Sequence, residues 1–248
     1  ESLGGKYVTA GDVGMQVADM DVLGETSQFV TGRSPEKGGV GDSGILTALG
    51  IWQGMQACVE YLSGSNDLSG VTVGVIGAGK VGGRLIGHLI EAGGARVIAM
   101  DPVASVRADL SATYPDLVFV NSFAEMLNCG PTIISPNAMG GFITPELVPQ
   151  LASVGISLVC GGANNQLATP EVGDLLAAAG ILYAPDFMVN CGGVIQVAEE
   201  LVGANVERAR AQVMQVYPTT LAVLESAAKA RITPVAAAEA AAWARINS

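Results

Sequence analysis

An α/β fold built on a doubly wound parallel sheet is predicted by three observations. Short β-branched runs alternate with helix-length stretches between residues 71 and 183, which is the rhythm of successive βαβ units. The run at 71–76 feeds directly into Gly77-Ala78-Gly79-Lys80-Val81-Gly82, a glycine-rich strand-to-helix turn. The segments that follow the later runs are poor in charge and rich in Gly and Asn, the chemistry of tight loops.

Taken in order, residues 45–62 read as a helix with Ile45, Leu49, Trp52 and Val59 on one apolar face. Strands are predicted at 71–76, 96–100, 117–120, 132–134, 157–160 and 181–183. Helices are predicted between them at 81–92, 103–113 and 170–179, the last opening on Thr169-Pro170, an N-cap hydroxyl followed by a proline at the first helical position. Long helices follow at 194–202 and 206–230, and a final one after Thr233-Pro234 runs through the alanine-rich stretch 236–244. No internal repeat or low-complexity linker interrupts the chain.

The glycine turn has a mechanical reading. Gly77 lets the chain turn off its strand, Gly79 lets the backbone approach a pyrophosphate, and Gly82 lets the next helix pack close to the sheet. The N-terminus of that helix, at Lys80 and Val81, supplies amide donors and the positive end of a dipole. Asp101 closes the next apolar run, nineteen residues beyond Gly82, where a carboxylate accepts hydrogen bonds from an adenosine ribose. Strand, turn, helix and acid together predict a bound nicotinamide dinucleotide. An acid at that position repels a 2′-phosphate, so the expected cofactor is NAD. Arg107 is the nearest cation, a helical turn too far along to receive that phosphate.

Composition sets limits. A chain of 248 residues can bury one large core, or a large and a small one. Half of its residues are apolar, yet no uninterrupted stretch reaches the ~20 residues of a membrane span. A formal charge of −11 with twelve Lys and Arg argues against a nucleic-acid partner. Cys58, Cys129, Cys160 and Cys191 form no metal-like cluster and sit in apolar or glycine-rich segments, as small buried hydrophobes do. With no secretory signal, the expected compartment is the cytoplasm. The chain begins at Glu1, without an initiator Met, and reads as a piece of a longer protein.

Loops at 135–141, 161–166 and 184–193 follow the fourth, fifth and sixth strands, at the sheet edge where such folds place ligands. They contain Ser135-Pro136-Asn137-Ala138, Ala163-Asn164-Asn165-Gln166 and Asp186-Phe187-Met188-Val189-Asn190. Each can close on a ligand and hydrogen-bond it.

These residues carry a family resemblance. Gly11-Asp12-Val13-Gly14 with Ala18-Asp19-Met20-Asp21 resembles the amino-acid dehydrogenases acting on glutamate, leucine, phenylalanine and valine. The 77–82 turn, Ala138-Met139-Gly140-Gly141, Ala163-Asn164-Asn165 and the stretch from Ile181 to Val194 do so as well. Residues 31–39, 41–43 and 159–167 resemble the branch acting on valine, and the likeness runs in order through essentially the whole chain.

The resemblance implies a reversible NAD-dependent oxidative deamination of an L-amino acid to a 2-oxo acid and ammonia, in a homo-oligomer when full length. It divides the chain into a remnant of an N-terminal α/β catalytic domain (1–44), a dinucleotide-binding domain (45–214) and C-terminal helices that pack back on the first domain (215–248). Asp12 aligns with the family's catalytic aspartate, which exchanges protons with the reacting amine. Thr47 aligns with a threonine near the nicotinamide carboxamide, Ala138 with the cofactor site, and Asn165 and Asn190 with positions lining the nicotinamide and substrate. Ala10, Val194 and Val197 align with the substrate pocket. Val197 stands where the glutamate-specific branch carries a serine, so a branched aliphatic substrate of the valine or leucine class is expected. The family's catalytic lysines lie in a segment upstream of this chain, and Lys6, Lys37, Lys80 and Lys229 do not match it. The fragment alone is therefore expected to be inactive. Asn137 and Met15 depart from the cysteine and threonine usual in relatives.

His88, Trp52 and Trp243 read as packing residues, and Asp186 as either a turn former or a hinge residue. Two other functions remain open at this point: an imine or ketimine reductase on the same scaffold, and a non-catalytic NAD-binding module.

Overall fold

A computed structural model describes residues 2–12 and 14–247; Val13, within the Gly11–Gly14 motif, lies outside them. The first segment carries α1 (Val17–Leu23), a 3-10 turn at Pro35–Lys37 and a parallel bridge between Thr9 and Val30. The long helix α2 (Gly44–Ser63) leads into β1 (Thr72–Ile76), α3 (Lys80–Gly87), a π-turn at His88–Ala92 and β2 (Arg96–Met100). There follow α4 (Ala104–Thr113), β3 (Val118–Phe119), α5 (Phe123–Asn128), β4 (Ile133–Pro136), α6 (Leu147–Ser153) and β5 (Leu158–Val159). After α7 (Val172–Ala178) and β6 (Leu182–Tyr183) come α8 (Asp186–Val189), α9 (Gly192–Glu200), α10 (Val206–Val213), α11 (Val216–Ala230) and α12 (Pro234–Ile246).

The strands form one six-stranded parallel sheet in the order β3-β2-β1-β4-β5-β6. Alternate residues of each strand enter separate cores, as a pleated strand requires. Val73, Val75, Val97, Ala99, Ile133 and Leu158 pack with α2, α3 and α10. Ile76, Ile98, Ile134 and Val159 pack with Met126, Leu151 and Leu176. Because β1 lies between β2 and β4, chain direction around the sheet reverses there, and the crevice outside the carboxyl ends of β1 and β4 is the natural ligand position.

Several predicted elements are corrected. The predicted helix 206–230 is two helices that break at Met214–Gln215. Pro218 has no N–H to donate, and its ring crowds the carbonyl four residues back, that of Met214. The helix expected from Pro170 begins at Val172, and the Thr169 carbonyl, not its hydroxyl, receives the Val172 N–H at 3.2 Å. Helix α5 was not predicted, although Ser122 caps it by accepting the Glu125 N–H at 3.2 Å and Glu125 returns by accepting the Asn121 N–H at 2.9 Å. Its Ser-Phe-Ala-Glu spacing carries a capping signal. Trp243 is 62% exposed on α12 and does not pack inward. Trp52 is buried, stacked on His88 at 6.4 Å between ring centroids. Burial, then the charge of Arg210, holds the His88 imidazole below its usual pKa. No helix of the described residues is long and apolar enough to cross a membrane.

Candidate functional site

The carboxyl ends of the strands bring the glycine turn, Asp101 and the asparagine loops to one edge. Gly77 has φ +86° and donates its N–H to the Met100 carbonyl at 2.8 Å. A Cβ there would lie 2.8 Å from Ala138 Cβ and 2.9 Å from Ala138 N, so the loop after β4 closes directly on the turn. A Cβ on Gly82 would lie 1.9 Å from the Gly77 carbonyl oxygen, which is why α3 can start so close to β1. At Gly79 an added Cβ meets nothing within 4 Å, so this backbone faces open space.

Asp101 is 8% exposed, and its two oxygens accept the N–H groups of Ala78 and Val103, each at 2.8 Å. The acid at the end of β2 thus fixes the middle of the glycine turn and the entry to α4. Val81 is half-buried, with its Cγ1 near the position a Cβ on Gly162 would occupy (3.1 Å). Lys80 is exposed and donates to the Met15 carbonyl, in the turn closed by Met15 N–H to Asp12 oxygen at 3.0 Å. That contact brings the Asp12 turn beside the glycine turn. A second bridge joins Arg84 to Asp42 at 2.8 Å. Burial pushes the Asp42 carboxyl upward, but the Gly44 amide and the Arg84 guanidinium outweigh it and leave it below the ordinary range.

The three loops are stitched together by side chains. Asn137 accepts the Gly162 N–H at 2.8 Å and donates to the Ser135 carbonyl at 2.9 Å, so the departure at this position has a structural use. Asn190 donates to Asn164 Oδ1 at 2.6 Å and to the Gly162 carbonyl at 3.2 Å. Asn165 stands at φ +53°, its carbonyl accepting the Gly141 N–H at 2.7 Å and its own N–H donated to Asp186. Asp186 therefore forms a cross-loop contact as well as opening α8. Nothing in local spacing signalled a partner twenty-one residues away.

Thr47, on the first turn of α2, donates to the Ser43 carbonyl at 2.9 Å and lies against Gly193. Gly192 approaches Leu46 so closely that a Cβ would sit 2.0 Å from its carbonyl oxygen. Two further anchors were missed from the sequence. Glu200 accepts the N–H groups of Gly32 and Val40 at 2.7 and 2.9 Å, and Gln196 donates to the Val40 carbonyl at 2.8 Å. They hold residues 32–42 on α9. Asp12 and Ala10 are exposed, Val194 is 71% exposed and Val197 half-buried, so the apolar positions expected of a substrate pocket stand largely open in this chain. Lys37 pairs with Glu25 at 3.4 Å. Burial pushes the Cys58 thiol up to about 12 and Cys160 also well up, as expected of inert packing groups.

A parallel sheet in this order, with a glycine turn after β1 and an acid closing β2, defines the dinucleotide-binding class of α/β folds. The chain belongs to the glutamate/leucine/phenylalanine/valine dehydrogenase family, whose model matches residues 105–248. It is 47% identical to a valine dehydrogenase of Streptomyces albus over 96% of this chain and 65% of that protein. With a leucine dehydrogenase of Geobacillus stearothermophilus it shares 38% identity over 100% of this chain and 66% of the relative. Thus the chain spans about two-thirds of the length of these relatives. Among solved structures, an L-tryptophan dehydrogenase from Nostoc punctiforme superposes with a TM-score of 0.81 at 32% identity, over 99% of this chain and 69% of that one. A hetero-hexameric glutamate dehydrogenase from Thermus thermophilus, 24% identical with a TM-score of 0.72 over 93% of this chain and 61% of that one, shares the fold. The family implies a nicotinamide cofactor.

Proposed function

We propose that this chain is the cofactor-binding part of an NAD-dependent dehydrogenase that deaminates a branched aliphatic L-amino acid. One observation carries the cofactor assignment: Asp101, anchored by Ala78 and Val103, beside the open face of Gly79. The open face fits a pyrophosphate, and the remaining lone pairs of the carboxylate fit ribose hydroxyls. The amides at the start of α3 would hold the phosphates, and Thr47, Ala138 and Asn165 would line the nicotinamide end.

When bound, the nicotinamide ring supplies the acceptor for the hydride leaving the substrate Cα. Asp12 would exchange protons with the amine, a task for which a carboxylate closed off from water is suited. Asn165 and Asn190 would orient the substrate. Val194 and Val197 on α9, with Ala10, would meet its side chain. Val197 cannot hydrogen-bond a side-chain carboxylate, and a charge buried unpaired against it would cost several kcal/mol. The valine and leucine dehydrogenases among its relatives support an aliphatic substrate.

Titration with the two cofactors tests the assignment. Two like charges ~4 Å apart repel by roughly 4 kcal/mol at an intermediate dielectric, so NAD is expected to bind at least about a hundredfold more tightly than NADP. Equal or tighter NADP binding would overturn it.

A further inference from the structure

We propose that Asp186 is a positioning residue for the nicotinamide end of the site, setting Asn165 and Asn190 together. The inference rests on the assignment of those two asparagines to the nicotinamide and substrate. Its basis is that the Asp186 side chain ties the turn of Asn165 to the short helix whose C-terminus carries Asn190. The Asp186 carboxylate takes the Asn165 N–H, and the Asp186 backbone carbonyl takes the Asn190 N–H at 2.9 Å.

Asn165 needs such a grip. Its φ of +53° is the left-handed region, which asparagine tolerates better than most residues but still holds in one turn only where its surroundings fix it. The neighbours leave little slack. A Cβ on Gly140 would lie 2.6 Å from the Asn164 carbonyl oxygen and 3.0 Å from that of Asn165, so the loop after β4 already presses on this turn. Asp186 is itself well fixed. Pro185, at φ −55°, precedes it and accepts the Met188 N–H at 3.1 Å, closing the single turn of α8. The buried Tyr183 phenol, raised first by burial and then by the charge of Asp186, flanks it from the end of β6. Asp186 thus transmits the position of β6 to the loop after β5, and the adenosine half of the site, on β1 and β2, has no part in this grip.

That asymmetry supplies the test. NAD and ADP-ribose share every group up to the second ribose, and ADP-ribose lacks the nicotinamide. The Kd of each is measured by calorimetry for the wild-type chain, Asp186→Ala and Asp186→Asn. The Ala variant is expected to weaken NAD about tenfold and to leave ADP-ribose within about twofold. The Asn variant, which keeps an acceptor oxygen, is expected to stay within about twofold of wild type for both. Unchanged NAD binding in the Ala variant would overturn the proposal, as would equal weakening of both ligands, the mark of a general structural defect. An Asn variant as damaged as the Ala variant would overturn it too. Failure of the wild-type chain to bind ADP-ribose would instead remove the dinucleotide assignment beneath it.

Discussion

Two glycines in one turn, Gly77 and Gly79, have different physical jobs, and substitution separates them. At Gly77 an added Cβ meets both left-handed strain and Ala138 at 2.8 Å, so Gly77→Ala is expected to lower folding stability by roughly 1–3 kcal/mol. At Gly79 the same methyl enters open space. Gly79→Ala is expected to fold with stability changed by less than about 0.5 kcal/mol, while weakening NAD at least about tenfold because the methyl occupies the phosphate approach. Denaturant unfolding and NAD titration of both variants check this; equal stability loss in the two would contradict it. Asp42 makes a pH prediction. Its folded carboxyl lies below the ordinary range despite burial, owing to Gly44 and Arg84, so its stabilisation is full above the unfolded pKa near 4 and lost as pH falls through the folded value. Asp42→Asn is expected to cost about 1 kcal/mol at neutral pH, in a gap that closes as pH falls through the folded value. A gap unchanged in acid would contradict this. At this scale the tight turn at Gly77 and the close helix approach at Gly82 were readable because each is local. The contacts of Asp186, Asn137 and Glu200 were not, since their partners come from other loops.

Among the elements, α2 decides how the last third of the chain meets the sheet. Gly50 and Gly54, one turn apart, face the segment that ends α8: a Cβ on Gly50 would lie 2.8 Å from the Val189 carbonyl oxygen, and one on Gly54 2.4 Å from Val189 Cγ1. These glycines let the helix axis approach α8 and α9, and so place Thr47 against Gly193. Gly54→Ala is expected to destabilise the fold by about 1–3 kcal/mol through overpacking, although alanine is the better helix former. An unchanged or raised unfolding midpoint would contradict this packing. Strand and helix order were legible from apolar periodicity, and the cap-plus-proline start at Thr233 is realised, with Thr233 accepting the Ala236 N–H at 3.3 Å. The break between α10 and α11 was signalled by Pro218 and not read. Strands β3, β5 and β6 are two residues each, shorter than the predicted runs at 117–120, 157–160 and 181–183.

At the scale of the whole molecule, the strand order was not read from the sequence, but the parallel, doubly wound class of the sheet could be anticipated from the alternation of strands and helices. The juxtaposition of the Asp12 turn with the glycine turn through Lys80, and of residues 32–42 with α9 through Glu200 and Gln196, could not be. Those contacts join parts of the chain more than sixty residues apart, and periodicity carries no information about them. The Lys80 contact sets the Asp12 turn beside the glycine turn, as the proposed function requires. The most direct measurement is kcat/KM for L-valine and L-glutamate with NAD, on the protein as its gene encodes it. The account predicts that valine is oxidised and is preferred by at least about a hundredfold, because an apolar pocket around Val194 and Val197 would strand the glutamate carboxylate. A preference for glutamate, or no amino-acid oxidation at all, would contradict it.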